Sequence, residues 1–515
     1  MSDPEKNDRY DLCVIGCGPS GFAAAMRAFD MGKHVVIIEK DEIGGAGVKW
    51  GALASKTMWE LSNDYYIAAK TDRGYRASAL HPDYGSVMDT VQRAVKEKQY
   101  QMISQIETFS RRRWKGPGSL TLKRGCGAFR SPDSLDILTD GKVDETVVAD
   151  FFLIASGSKP KEFPGIPFDH KRILSSDSIL SLKSFPKRLI IIGAGIVGCE
   201  YATIFSNYNR TKVYLVDHAE SVIPYEDFDI SRFVSSCLEN NGVEIFHSAA
   251  LKDIVKRKDH LDITLDFEDG HSQVVEVDAA LISIGREPNL SCLNLQHAGI
   301  LPDKTGRIVT DDNCMAGRHI YAAGDVTHLP ALVNIAEMEG RHAVASMFGK
   351  PSKPLSYKDM STIMFFHPAV AAVGMSEKSC RKKNIPYRAA YYSNAFLPRA
   401  IAMRALNGFF KIIATDEDNP KILGMRAAGP QVSGTVMAVS LAMKRSECVS
   451  DMLESLYPHP TMSEAMQECM RMLIGTSTFK PFAFPGRLRT WSWHPGKEKD
   501  EEIKQSSIET NGGKE

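Results

Sequence analysis

At 515 residues the chain is longer than one hydrophobic core organises, so it reads as several domains. Its 43% hydrophobic and 24% charged content is ordinary for a globular protein. Sixty-three basic side chains balance 63 acidic ones, which removes any global electrostatic case for nucleic acid or an anionic membrane surface.

The N-terminal MSDPEKNDRYD is polar and lacks the apolar core of a signal peptide. DLCVIGCGPSGFAAAMRA follows: a short apolar strand, a turn at Gly16-x-Gly18-x-x-Gly21, then an Ala-rich helix. A second strand, HVVIIEK, ends at Glu39, 23 residues after Gly16. This is the dinucleotide fingerprint in its context of strand, glycine turn, helix, strand and acid. The glycines let the backbone approach a pyrophosphate at the helix N-terminus, and the carboxylate accepts hydrogen bonds from a ribose. IGGAGVKWGALASK (43–56) comes next, a run of small residues with no redox centre. FSRRRWKG (109–116) places cations after a long helical pattern that starts near Met88, where they complement the helix dipole.

FFLIASGSKP (151–160) is an apolar strand pattern ending at Ala155-Ser156-Gly157. RLIIIGAGIVGCEYATIF repeats the fingerprint: Gly193-x-Gly195-x-x-Gly198, with Asp217 24 residues after Gly193. It is also the nearest approach to a membrane span, but Glu200 and three glycines interrupt it, and no stretch offers the ~20 apolar residues a span needs. Two fingerprints in matching context are a strong signal where one is weak, and they suggest one nucleotide held permanently and one that comes and goes. LISIGREPN (281–289) and HIYAAGDVTHLP (319–330) end further strands at Gly285-Arg286 and Gly324-Asp325, the strand edge where ligands sit in open α/β sheets.

The ten cysteines, Cys13, Cys17, Cys126, Cys199, Cys237, Cys292, Cys314, Cys380, Cys448 and Cys469, form neither a metal-ligand pattern nor a disulfide ladder. All ten are expected as free thiols in a reducing cytoplasm, and no metal site is expected.

The order GxGxxG…E, GG…SK, ASG, GxGxxG, GRxPN, AAGD resembles the pyridine-nucleotide disulfide oxidoreductases over roughly residues 8–475. The resemblance implies FAD on the first fingerprint and NAD(P)H on the second. It also implies a C-terminal interface domain that forms a homodimer, with His-Pro-Thr-x-Ser-Glu at His459 to Glu464 as its signature. The fold class expected is α/β, with two Rossmann-like dinucleotide-binding domains and an α+β C-terminal dimerisation domain. The boundaries expected are 1–160 with 282–355 for FAD, 161–281 for NAD, 356–478 for the interface domain and 479–515 for an extension ending in a disordered tail. FFHPAVAAVG (365–374) begins the interface domain, with His367 structural. The resemblance assigns Gly16, Gly18, Gly21, Glu39, Gly45, Lys56, Ser156 and Asp325 to FAD, and Gly193, Gly195, Gly198, Asp217 and Gly285 to cofactor binding around the second fingerprint. Lys56 and Glu200 take the positions of an ion pair near the flavin N5. His459, held by Glu464, takes that of an acid–base group reaching the site across the dimer.

The bland run 43–56 departs from the family. Disulfide reductases of this type read GG-x-C-x-x-x-x-C-x-x-SK there; this chain keeps Gly44-Gly45 and Ser55-Lys56 but has Gly47 and Ala52 at the cysteine positions. Neither residue can form a mixed disulfide. Lys49-Trp50-Gly51 resembles the His-Trp-Gly segment of the soluble pyridine-nucleotide transhydrogenases; a Trp filling the void of two small residues is an equal account of it. Asp217, with no Arg or Lys from His218 to Ser231, favours NADH over NADPH. Three readings stand: hydride from NADH through FAD to a non-disulfide acceptor (a second nucleotide or a quinone); a catalytically silent flavoprotein that binds a partner; or a dihydrolipoamide dehydrogenase-like enzyme with thiols supplied from elsewhere. FKPFAFPGRLRTWSWHPG (479–496) reads as an aromatic strap over the dimer interface, against a lid over the acceptor site or a docking segment.

Overall fold

The structure, a computed structural model, describes residues 9–77, 79–328, 330–349, 351, 353–497 and 501–502. The chain divides into two compact units: Met1–Gly193 with Ile204–Val216 and Ala250–Leu355, and Ala194–Thr203 with Asp217–Ala249 and Ser356–Glu515.

In the first unit, strand Tyr10–Ile15 lies between His34–Glu39 and Lys142–Ile154, parallel to both, and Ser119–Arg124 continues beside His34–Glu39. Leu12, Cys13 and Val14 with Val35 to Ile37 have no solvent exposure, as unbroken apolar runs in a sheet covered on both faces require. Lys142–Ile154 changes character along its length. Its mostly exposed first half pairs antiparallel with Ser134–Thr139. Its apolar end, Phe152-Leu153-Ile154, pairs parallel with both Tyr10–Ile15 and Ile320–Ala322. The carboxyl ends Ile15, Glu39, Ile154 and Ala322 therefore lie along one edge, and the glycine turns and small-residue loops of the sequence follow them. A second parallel sheet places Arg188–Ile192 between Lys212–Val216 and Ala279–Ile282, with Ile173–Ser175 outermost. The long helix expected from Met88 runs Tyr84–Thr108, and Trp114 of the basic cluster packs edge-on against Phe29 and Phe109.

The second unit is built on an antiparallel sheet ordered Ser361–Met364, Val370–Gly374, Ile422–Ala428, Phe409–Thr415, Tyr387–Ser393, Leu488–Trp493 and Glu501–Glu502. Helix Ser463–Leu473 turns Ala465, Met466, Cys469, Met470 and Leu473 into a core with Phe410, Ile412 and Met425. Strand alternation sends Lys411 to the other face. There it is 0% exposed and ion-paired to Asp227 at 2.9 Å, Asp229 at 2.8 Å and Glu377 at 2.7 Å. Burial alone would lower the Lys411 pKa; the three carboxylates outweigh it and raise it. Burial raises Asp229, while at Asp227 the Lys411 attraction outweighs burial and holds the carboxyl below its usual range.

The aromatic extension differs from a strap. Leu488–Trp493 is a full strand of the sheet, in register from Tyr392↔Leu488 to Tyr387↔Trp493. Trp493 stacks on Tyr387 with centroids 5.8 Å apart, and Trp491 Nε1 donates to Glu377 Oε2 at 2.9 Å. Alternating Leu488, Thr490 and the tryptophans supply a β pattern that the preceding Pro/Gly punctuation hides in the sequence. Phe479 and Phe484 pack on Phe396. The disordered tail expected beyond this strand falls almost wholly outside the described residues.

Lys411→Met leaves three carboxylates facing one another in a buried site. It should cost about 3–5 kcal/mol, the range for breaking a buried ion pair, read as a lowered urea midpoint. Trp491→Ala should cost about 3 kcal/mol, as a large core truncation, with the same readout.

Candidate functional site

The turn after the first strand is built by close approach. Gly16 has φ +103°, and a Cβ there would sit 2.3 Å from the Ala155 carbonyl oxygen. A Cβ on Gly21 would sit 2.0 Å from the Gly16 oxygen, so helix Pro19–Asp30 starts hard against the turn. Gly18 differs: nothing lies within 4 Å of its Cβ position, and at φ −77° it is not strained. The turn therefore presents bare backbone to open space. The helix that follows has no side-chain cap and no acid in its first turn. The Ser20 hydroxyl beside it is buried without a hydrogen-bond partner among the described residues. Uncapped N–H groups beside the open space at Gly18, with a buried hydroxyl that has no partner among the described residues, fit the pyrophosphate of a dinucleotide.

Glu39 is buried at the end of its strand. Oε2 accepts from the Cys17 N–H at 2.7 Å and Oε1 from the Asp41 N–H at 2.9 Å. The loops from neighbouring strands converge. Gly45 approaches Gly18, with its Cβ position 3.2 Å from the Gly18 Cα. The Ser156 hydroxyl donates to the Asn289 carbonyl at 2.8 Å. Asp325 accepts from Ser158 Oγ at 2.6 Å, and Arg286 donates to that same Oγ at 2.8 Å while pairing with Asp177 at 2.7 Å. Ser158 and Arg286 thus orient Asp325, although only the arginine drew notice in the sequence. Two further residues were missed. Glu339, buried, accepts from the Gly324 N–H at 2.7 Å and shapes the turn before Asp325. A Cβ on Gly340 would lie 2.3 Å from the Ser20 oxygen, which sets how closely helix Val333–Phe348 crosses Pro19–Asp30. A glycine inside an apolar helical pattern was the available signal.

The second fingerprint repeats the first. Gly193 has φ +103° and packs on Ser283, with its Cβ position 2.7 Å from the Ser283 oxygen, whereas Gly195 again has open space. Gly198 lies within helix Ile196–Asn207 and Gly285 has φ +111° with no neighbour at its Cβ position. Asp217, buried, accepts from the Ala194 N–H at 2.6 Å and from the Ala219 N–H at 2.9 Å. In both copies the strand-end acid holds the second residue of its glycine turn, Cys17 or Ala194. The exposed His218 ring lies 3.2 Å from Asp217.

At the position of the absent thiols the backbone is closed. A Cβ on Gly47 would lie 2.4 Å from Pro19 Cγ and 3.5 Å from Val333 Cγ2. Residues Ala46–Trp50 form a single π-helical turn closed by Gly51 N–H to Ala46 O at 2.8 Å, and Ala52 starts the next helix. Lys49 lies 4.1 Å over the Trp50 ring and pairs with Asp41 at 3.1 Å. Lys56 Nζ donates to Ser55 Oγ at 3.3 Å. In the second unit Glu200 is buried and accepts from the Phe365 N–H at 3.1 Å. His459 Nδ1 lies 2.7 Å from Glu464 Oε1, and Glu464 Oε2 accepts from the Thr461 N–H at 2.8 Å. With Nδ1 held by a carboxylate, Nε2 is the outward face of a ring that is 65% exposed.

The expectation of ten free thiols is corrected: Cys126 and Cys292 form a disulfide. The two are 166 residues apart, so no local spacing reveals them. The other eight cysteines are free. Burial and the Glu39 carboxylate push the Cys17 thiol upward, and burial with Asp217 and Glu200 does so for Cys199, so neither supplies a thiolate. His260, Asp262 and Glu276 gather within 4.8 Å, but Arg257 and Arg188 already neutralise the two carboxylates. Among the described residues no helix is long and apolar enough to cross a membrane.

Residues 10–340 match the sequence family described as "Pyridine nucleotide-disulphide oxidoreductase", and residues 360–470 match its dimerisation domain. The chain belongs to the pyridine nucleotide-disulphide oxidoreductases. It is 30% identical over 470 residues to the mitochondrial dihydrolipoyl dehydrogenase of Schizosaccharomyces pombe, covering 90% of each chain. To the dihydrolipoyl dehydrogenase of Bacillus subtilis it is 29% identical, covering 90% of this chain and 97% of the relative. Among solved structures it resembles LpdA from Mycobacterium tuberculosis, with TM-score 0.81, 25% identity and coverage of 90% and 99%. The fold is also that of the flavoprotein disulfide reductase RclA from Escherichia coli, with TM-score 0.79, 22% identity and coverage of 90% and 100%. An FAD-dependent pyridine-nucleotide oxidoreductase is what this family membership supports, with FAD and NAD(P) as its cofactors and a homodimer through its dimerisation domain.

Gly18→Val adds a Cβ with no protein atom within 4 Å, so the apoprotein should keep its thermal midpoint. Flavin retention should fall by about tenfold or more, because the helix N-terminus can no longer be approached. Flavin absorbance after gel filtration, beside a melting curve, checks both.

Proposed function

We propose that this chain takes hydride from NADH onto FAD and passes the electrons to an acceptor that is not a disulfide: a second pyridine nucleotide or a quinone. The observation that carries the reading is at residues 47 and 52. Both family cysteines are absent, and Pro19 fills the place a side chain at 47 would take. When bound, FAD supplies the capacity to accept a hydride and to hand on electrons. The chain's own residues do the rest. Glu39, Gly18 and Asp325 hold the cofactor, and Lys56 and Glu200 carry the charges assigned to its N5 side. Asp217 favours NADH, since a buried carboxylate facing a ribose repels a 2′-phosphate. His459, kept as the Nδ1–H tautomer by Glu464, offers Nε2 as a proton donor or acceptor to the electron acceptor.

The relatives favour a second reading. Those of Schizosaccharomyces pombe and Bacillus subtilis are dihydrolipoyl dehydrogenases, so lipoamide is the alternative acceptor, with thiols brought by a partner. Anaerobic stopped-flow separates the two. The flavin band should bleach with NADH, and the reduced protein should reoxidise with quinone or a thio-analogue of NAD but not with lipoamide. Reoxidation by lipoamide overturns the proposal. Failure of both NADH and NADPH to bleach the bound flavin moves the protein to a silent, partner-binding role.

Two variants sharpen this. Asp217→Ser should raise the NADPH-to-NADH ratio of flavin bleaching rates by about tenfold, the scale of removing one close charge repulsion. His459→Gln should leave bleaching by NADH unchanged and slow reoxidation by a quinone by about 100-fold, the lower end for a lost general acid.

A further inference from the structure

The Cys126–Cys292 pair lies outside all of the chemistry above, yet both of its residues adjoin the first nucleotide site. Cys126 follows Gly125, whose N–H donates to the Glu39 carbonyl at 3.1 Å. Glu39 in turn holds the Cys17 N–H of the glycine turn. Cys292 stands three residues after Asn289. The Asn289 N–H donates to the Gly157 carbonyl at 2.9 Å, its carbonyl accepts from the Ser156 hydroxyl at 2.8 Å, and its side chain donates to the Ser156 carbonyl at 3.3 Å. The S–S bond therefore ties the strand edge carrying Glu39 to the loop that supports Ser156 and Gly157. These are two loops assigned to the same cofactor, 166 residues of chain apart at the bond itself. Further from the site the same two segments are already joined without it, by Phe129 N–H to Leu293 O at 2.8 Å and His297 Nδ1 to Phe129 O at 3.0 Å. Breaking the bond removes the one covalent tie beside the cofactor site and leaves hydrogen bonds alone to hold the two segments there. Both cysteines are half-buried, within reach of a small reductant or oxidant.

We propose that Cys126 and Cys292 are a reversible redox site that sets how tightly this protein holds FAD: closed as the disulfide, loosened as the dithiol. The inference rests on FAD occupying the first fingerprint. The chemistry is thiol–disulfide exchange with a low-molecular-weight disulfide such as oxidised glutathione. One cysteine thiolate attacks that disulfide and expels one small thiolate, leaving a mixed disulfide. The second cysteine thiolate attacks the bonded cysteine sulfur and expels the other. The two cysteine thiols are oxidised by two electrons, the small disulfide is reduced to two thiols, and those thiols take the two protons. Oxidation at this site removes local opening of the loops that flank the cofactor, and local openings are what let a bound group leave.

The test uses the full-length holoprotein equilibrated in oxidised or in reduced glutathione. Peptide mapping should find a 126–292 cross-link in the first and two alkylated thiols in the second. FAD release, followed as the rise of free-flavin fluorescence on dilution, should be about tenfold slower in the oxidised sample. Cys126→Ser and Cys292→Ser should each release FAD at the fast rate in both buffers. The proposal is overturned if both thiols alkylate in the oxidised sample, or if the cross-link forms and release is the same in the two buffers. Protein that carries no FAD in either buffer overturns the cofactor assignment along with it, whereas equal release from a flavin-loaded protein overturns this inference alone.

Discussion

The turn Gly16–Gly21 is backbone pressed against backbone, and much of the first unit is arranged around keeping it bare. Gly16 meets Ala155, Gly21 meets Gly16, and Gly340 meets Ser20, each at a distance that excludes a β-carbon. Such contacts fix the positions of two strand ends and two helices to within a few tenths of an ångström, because a close-packed interior cannot absorb a methyl group without shifting. Within that frame Gly18 alone of the turn glycines looks onto open space, which is why a phosphate is the natural occupant. The same turn closes off the family's usual chemistry. Pro19, within it, occupies the place where a side chain at residue 47 would lie. The bare turn and the crowded position 47 thus meet at Pro19.

The two strand-end acids show how a sheet edge becomes a binding edge. Glu39 and Asp217 each take a main-chain N–H from their own glycine turn and a second from the residue two further along. A buried carboxylate is costly unless its oxygens are bonded. By accepting from the turn, the acid holds the loop in the shape that leaves the helix N-terminus free. The proposed preference for NADH rests on that placement, since a buried carboxylate beside a ribose would disfavour a 2′-phosphate.

The second unit solves a different problem: how to seat charges beneath a sheet. Lys411 faces inward from a strand because its neighbours Phe410 and Ile412 occupy the helix-covered face. Three carboxylates from two segments far apart in sequence compensate it, and Glu377 among them also receives the Trp491 and Tyr387 donors. The added strand Leu488–Trp493 therefore joins the sheet by its backbone and the ionic cluster by its indole. Nothing in a charge count or a periodicity reveals that arrangement, since each member is an ordinary surface-type residue in its own stretch of sequence.

What the sequence by itself determined is the local and repeated: two glycine turns with their acids, the apolar strands that feed them, the family those motifs belong to, and the replacement of both thiols by Gly47 and Ala52. These are legible because glycine spacing and strand periodicity express backbone constraints acting over some thirty residues. The tertiary structure decided everything that depends on which distant segments meet. It brought Ser158 and Glu339 to the Asp325 loop, set Pro19 against Gly47, turned the aromatic extension into a strand, and joined Cys126 to Cys292 across 166 residues. A hydrogen bond, a steric stop or a disulfide acts over a few ångströms of space whatever the length of chain between its ends, and that distance is written in the fold alone.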